Sequence, residues 1–270
     1  MTNIIAFPGL GIGPMQIKST FSFFGFSIHW YGVIIALGII LAYLFASHEG
    51  KRRGVSQDTL LDIVIFGLPA AIICARIYYV IFEWDQYKNN LWDIVKIWEG
   101  GIAIYGGIIG ACVSTYLYCR VKKISFFKIA DIGGFGLLIG QAVGRWGNFV
   151  NAEAYGGETT LPWRMELVDL GISVHPTFFY ESLWNTLVFL FLLWYRKKQK
   201  FEGEIFLLYL SLYGLGRFWI EGLRTDSLFI GSLRVSQIVA AVCVLAGLAL
   251  VAFFRWKKGK QPMNAGQDQA

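Results

Sequence analysis

The stretch GRWGNFVNAEAYGG, Gly144–Gly157, sets one arginine, two asparagines and one glutamate directly after a strongly apolar run. Further on, HPTFFYE (His175–Glu181) brings an acid to the start of another apolar run. YGLGRFWIEGLR (Tyr213–Arg224) places Arg217 and Glu221 four residues apart, on one helix face. Charges within apolar segments are costly and mark candidate functional sites. Arginine matches phosphate oxygens with a fork of donors and stays charged in a partly dry site. Arg145, Arg217 and Arg76 (in AAIICARIYYVIF) are therefore candidates for one positive pocket. A structural reading stands beside each: a plain Arg217–Glu221 ion pair, arginines snorkelling to an interface, and a His175 that only bonds a backbone carbonyl. Trp30, Tyr31 and Trp219, at the ends of apolar runs, read as interface anchors.

The elements that must position these groups are membrane helices. Of 270 residues, 56% are hydrophobic and 16% charged, against about 25% charged in soluble domains. The excess apolar surface calls for lipid as solvent. Seven runs are long enough, or nearly so, to cross about 30 Å of hydrocarbon: Ile28–Ser47, Leu60–Phe82, Ile102–Cys119, Ile129–Val143, Thr177–Tyr195, Ile205–Ile220 and Val235–Phe254. They are continuous rather than alternating, which favours helices over a barrel. The first run is not expected to be a typical cleavable signal: it is long, only Lys18 flanks it upstream, and its basic cluster follows it. The expected fold is an all-α integral membrane protein of seven transmembrane helices, one polytopic domain over residues 1–270.

Charge orients it. Lys51, Arg52 and Arg53 follow the first run; Arg120, Lys122, Lys123 and Lys128 the third; Arg196, Lys197, Lys198 and Lys200 the fifth; Arg255, Lys257, Lys258 and Lys260 the seventh. Fifteen of the 24 basic residues thus share one side, which predicts an outer N-terminus and a cytoplasmic C-terminus. The net charge of +6 calls for no nucleic acid, since anionic lipid headgroups face such loops. Residues 144–176, between the fourth and fifth runs, become a small outer-face subdomain, and the polar clusters gather on that outer side. Cys74, Cys112, Cys119 and Cys243 form no CxxC pair, and His29, His48 and His175 are scattered, so neither a disulfide framework nor a metal site is expected. Gly107, Gly110 and Ala111 read as a close-packing helix face. The absence of a side chain there would also let a lipid headgroup or a peptide backbone approach Tyr105.

These blocks together resemble the bacterial prolipoprotein diacylglyceryl transferases. The signature G-R-x-G-N-F-x-N-x-E-x-x-G is met at Gly144, Arg145, Gly147, Asn148, Phe149, Asn151, Glu153 and Gly156. IHWYG (Ile28–Gly32), GIAIYGG (Gly101–Gly107), HPTFFYE and YGLGRFWIEGLR resemble the family's other blocks, in its order and over most of the chain. The resemblance implies transfer of a diacylglyceryl group from phosphatidylglycerol to the lipobox cysteine of a prelipoprotein signal peptide. A thioether forms and glycerol phosphate leaves, in the bacterial cytoplasmic membrane, at a site toward the outer leaflet. It implies no metal and no soluble cofactor. Carried over by motif, Arg145 and Arg217 meet the phosphate, and Asn148, Asn151, Glu153 and Gly156 complete the headgroup site. Glu221 orients Arg217, Arg224 adds charge, and Tyr31 and Tyr213 donate to lipid oxygens.

One position departs from the family. Many members have histidine where this chain has Tyr105. A thiol with pKa about 8.5 must lose its proton, and a phenol with pKa about 10 is a poor base unless cations lower it. Tyr105 is left with two roles, a phenolate beside arginine or a hydrogen-bond donor, and the leaving phosphate is another proton acceptor. A small-solute transporter is the alternative reading of seven spans with an internal arginine. It calls for inverted repeats or interrupted helices, and neither is evident.

Overall fold

A computed structural model describes residues 2–225, 229–231 and 233–259. Lys260, in the basic cluster after the seventh run, lies outside the described residues. The chain divides into two compact units, one of Met1–Phe45 with Asp131–Ala270, the other of Ala46–Ala130.

The protein is mostly helical. Its helices are α1 (Trp30–Arg52), α2 (Gln57–Phe82), the single turn α3 (Trp84–Tyr87), α4 (Ile104–Lys122), α5 (Phe126–Asn151), α6 (Thr177–Tyr195), α7 (Glu204–Glu221) and α8 (Val235–Gly259). Five of them, α1, α2, α5, α6 and α8, are long and apolar enough to cross a membrane. Helix α6 shows the solvent it is built for. It buries Glu181, Ser182 and Asn185 while Leu183, Leu187 and Leu190 point outward. That inverts the usual burial order and suits a hydrocarbon surround.

Helix α5 corrects one boundary. Hydropathy ends the fourth run at Val143, but the helix continues eight residues further, through Asn151. Backbone hydrogen bonding needs no apolar side chains. The polar groups of these last two turns find partners on α6 and beyond, so the helix need not end where the apolar run does. The residues after it turn sharply, with Ala152 and Ala154 in the left-handed region at φ 52° and 56°.

The helices are joined by strands that hydropathy does not reveal. β1 (Thr2–Phe7), β2 (Ile12–Lys18), β5 (Met165–Leu167) and β6 (Ile172–Val174) form one antiparallel sheet in the order β2-β1-β5-β6. The expected outer subdomain of residues 144–176 therefore shares a sheet with the N-terminus. β3 (Thr20–Phe23) and β4 (Phe26–His29) make a hairpin leading into α1, and β7 (Phe229–Ile230) pairs with β8 (Leu233–Arg234). Ile5, Met165, Leu167 and Val174 from the sheet pack on Phe178 of α6 and Phe149 of α5. Asn3 Nδ2 donates to Val150 O at 2.9 Å. The sheet thus clamps the ends of α5 and α6 that carry Arg145 and Glu181. Further along these helices, Phe135, Leu138, Val188, Leu192, Ile205 and Tyr209 form the core between α5, α6 and α7.

The second unit centres on α2 packed against α4. A Cβ on Gly106 or Gly110 would overlap Cys74 O or Ala70 O, so these two glycines set the close approach. Gly107 stands in ordinary contact instead, with its nearest neighbours at 3.7 Å. Ser56 caps α2 by accepting from Thr59 N at 3.1 Å. Arg76 is spent on structure. Its guanidinium donates to the carbonyls of Ile94, Gly100, Gly101 and Asp93 at 2.8, 2.6, 2.7 and 2.5 Å. It holds the 91–101 loop as a backbone cap.

Candidate active site

The first unit gathers most of the sequence-selected residues around one carboxylate. Glu181, one turn into α6, has a side chain only 4% exposed. Arg145, two turns from the end of α5, meets its Oε2 at 2.6 Å. Arg217, near the end of α7, meets its Oε1 at 2.6 Å. Arg217 also pairs with Glu221 at 2.5 Å, the i,i+4 contact expected from sequence, and Glu221 is buried. Arg224 approaches Glu181 at 3.8 Å. Two guanidiniums from two helices thus share opposite oxygens of one buried acid. Removing that acid would leave them facing each other in a poorly hydrated place, where like charges repel strongly.

The GRWGNFVNAEAYGG stretch wraps this cluster. Arg145 donates to Asn148 Oδ1 at 3.2 Å, and Asn148 Nδ2 donates to Glu153 Oε1 at 3.0 Å. Asn151 reaches the same oxygen at 3.4 Å. The left-handed turn at Ala152 and Ala154 folds Glu153 back over the helix end, and Glu153 N donates to Asn148 O at 3.0 Å. Gly156 has a spacing role: a Cβ there would lie 2.7 Å from His175 Cβ and 3.0 Å from Leu223 O. Its neighbour Gly157 donates to Leu223 O at 2.8 Å, lacing the motif to the turn that carries Arg224. Gly147 serves Tyr31 likewise, since a Cβ would lie 2.6 Å from the ring. Tyr31 is therefore seated on the motif helix.

A family model described as prolipoprotein diacylglyceryl transferase covers residues 18–253. The chain belongs to that family. It is 51% identical over 234 residues to the phosphatidylglycerol–prolipoprotein diacylglyceryl transferase of Finegoldia magna, covering 86% of this chain and 94% of that one. It is 48% identical over 247 residues to the protein of that name from Clostridioides difficile, covering 92% and 98%. The Listeria welshimeri protein of that name is 48% identical over 242 residues, covering 86% and 87%. With its apolar helices, this family member is a multi-pass membrane protein.

Two sequence-selected residues belong to other elements. Tyr105 opens α4 and is 39% exposed, within the second unit rather than the first. His29 ends β4 on an exposed strand. His175 accompanies Tyr180, its Nδ1 3.4 Å from the phenol oxygen, and burial pushes its pKa below the usual histidine value. Among the described residues, no three His, Cys, Asp or Glu side chains gather as a metal site.

Glu181 had no assigned role from sequence, although it is the shared partner of both arginines. Its only signal was an acid at the start of an apolar run. Trp146 and Ser182 were also missed. Trp146 Nε1 donates to Ser182 Oγ at 3.1 Å, and Ser182 Oγ donates to Ala142 O at 2.8 Å. These bonds pin α5 to α6 beside the ion pairs.

Proposed function

We propose that this chain transfers the diacylglyceryl group of phosphatidylglycerol to the lipobox cysteine thiol of a prelipoprotein. The family supports the reaction and both substrates. The observation that carries the site is the convergence of Arg145 and Arg217 on Glu181. Each guanidinium has five N–H donors in a rigid fork. Glu181 and Glu221 anchor one side of these forks, and the partly exposed remainder faces the helix end. The lipid phosphate meets that preorganised edge, with Arg224 adding charge. Asn148, Asn151, Glu153, Tyr31 and Tyr213 line the headgroup, while Gly156 holds the motif against the Arg224 turn.

The cysteine sulfur attacks the glycerol carbon that bears the phosphate. A C–S bond forms as the C–O bond to phosphate breaks. The electron pair leaves with glycerol phosphate, whose growing charge the arginines stabilise. The thiol proton passes to the departing phosphate or to a base beside it. Tyr105 joins by hydrogen bonding or as a phenolate. The site faces the outer leaflet of the bacterial cytoplasmic membrane. The chain crosses seven times, with α4 and α7 added to the five long apolar helices, the N-terminus outside and the C-terminus in the cytoplasm.

The test is a vesicle assay with phosphatidylglycerol and a lipobox peptide, read by mass spectrometry. A mass gain of one diacylglyceryl group on the cysteine is expected, and an unmodified peptide overturns the assignment. Within that assay, full activity of Tyr105→Phe removes the phenol from the chemistry.

A further inference from the structure

Beneath the arginines lies a second set of polar groups that the phosphate reading does not use. Gln141 precedes Arg145 by four residues on α5, and Asn185 follows Glu181 by four on α6. Each shares the helix face of its charged partner, one turn deeper between the helices. The Ser182–Ala142 bond fixes α5 against α6 at this level, so the two amides flank the same part of the helix pair. Asn185 is 1% exposed, and its Nδ2 has no hydrogen-bond partner. Gln141 Nε2 donates to Tyr209 OH at 2.9 Å, while its Oε1 is buried without a partner. The Tyr209 ring in turn stacks on Tyr213, 5.8 Å between centroids. Buried amide atoms left without partners are costly and call for an explanation. Leucine would fill position 185 without that cost.

We propose that Asn185, assisted by Gln141, binds the ester carbonyls of the diacylglyceryl group. The inference rests on Arg145 and Arg217 holding the phosphate. One helical turn is about 5.4 Å, comparable with the few bonds that separate a phosphate from the ester groups of the same lipid. An ester carbonyl only accepts hydrogen bonds, so an amide N–H is its complement. The group carries two ester carbonyls, and the site carries two amides. Tyr209 can donate as well as accept. When it donates to the Gln141 oxygen, the Gln141 Nε2 is released toward the lipid. The subsite would set the depth of the glycerol backbone and so hold the reacting carbon in line with the incoming thiol. A buried water bridging the two amides is the competing occupant, and it would confer no preference among lipids.

The test compares diester phosphatidylglycerol with a diether analogue of the same chain length, in vesicles, using the full chain and a lipobox peptide. The expected kcat/KM of the native protein is about five- to tenfold higher for the diester, mostly through KM. Asn185→Leu is expected to bring the diester-to-diether ratio close to one. A native ratio near one overturns the subsite without any variant, so a misfolded variant cannot rescue it. An Asn185→Leu protein that keeps the native ratio overturns it as well. Transfer from neither lipid by the native protein would instead overturn the transferase reading, and the subsite with it.

Discussion

Helices α5, α6 and α7 bury carboxylates at both of their ends, and the two ends handle them differently. At one end, Asp131 accepts from Gly203 N at 2.9 Å, Phe206 N at 3.0 Å and Gln199 Nε2 at 2.5 Å. It caps the start of α7 from a neighbouring helix. Beside it, Glu204 takes Lys200 N at 2.5 Å, Tyr195 OH at 2.8 Å and Arg255 Nε at 2.5 Å. Both acids are fully buried. At the other end, Glu181 is held by arginine side chains from other helices, and those arginines remain about a fifth exposed. Backbone amides cannot leave their carboxylate without undoing the helix. Guanidiniums have donors to spare and can share them with an incoming anion. Carboxylates held largely by backbone amides serve stability, even where Arg255, 39% exposed, joins Glu204, whereas one shared by two guanidiniums suits binding.

The largest expected effect breaks the arginine end. Arg145→Ala and Arg217→Ala should each lower kcat/KM for diacylglyceryl transfer by about a hundredfold or more. Near-native transfer by both variants would remove the phosphate role. The next effect breaks the other end. Glu204→Ala removes the acceptor of Lys200 N, Tyr195 and the partly exposed Arg255 and should cost about 1–3 kcal/mol. A lower Tm in detergent, with kcat/KM unchanged per folded molecule, is the expected readout. Loss of activity at an unchanged Tm would erase the contrast between the two ends.

Smaller changes sharpen it. Arg217→Lys keeps the charge but loses the fork that serves Glu181 and Glu221 together. A roughly tenfold loss of kcat/KM is expected, about 1.4 kcal/mol, and an unaltered rate would reduce the site to bare charge. His175 should give the least effect. Burial lowers its folded pKa, so below the unfolded value of about 6.5 the unfolded chain binds more protons. Its contribution to stability is therefore complete above that pH and is lost as pH falls through the lowered folded value. His175→Gln should flatten the dependence of Tm on pH between 7.5 and 5. An unchanged slope would take His175 out of the account.

Much of the helical plan was legible in hydropathy, because a lipid-facing helix must carry a continuous apolar run. The end of α5 was not, since a helix can continue past its apolar run wherever its polar side chains find partners. The sheet was hidden for another reason. β5 and β6 are three residues each, and β1 pairs with β5 from far along the chain, so neither offers a periodic signal. Arg76 and Arg217 both stand in apolar runs, although Arg217 alone has an acid, Glu221, four residues on. Their partners separate them, loop carbonyls for Arg76 and carboxylates for Arg217.

By itself, the sequence determined the apolar helices, the family and the residue types for anion chemistry, because each is carried by composition or short-range spacing. The tertiary structure alone decided that Glu181 joins two arginines from separate helices. It also decided that Arg76 is a backbone cap and that Gln141 Oε1 and Asn185 Nδ2 are buried without a partner. The cap and the ion pairs join residues 17 to 36 positions apart. No local pattern encodes them, because they exist only once the helices pack and the buried polar groups must find, or fail to find, a partner.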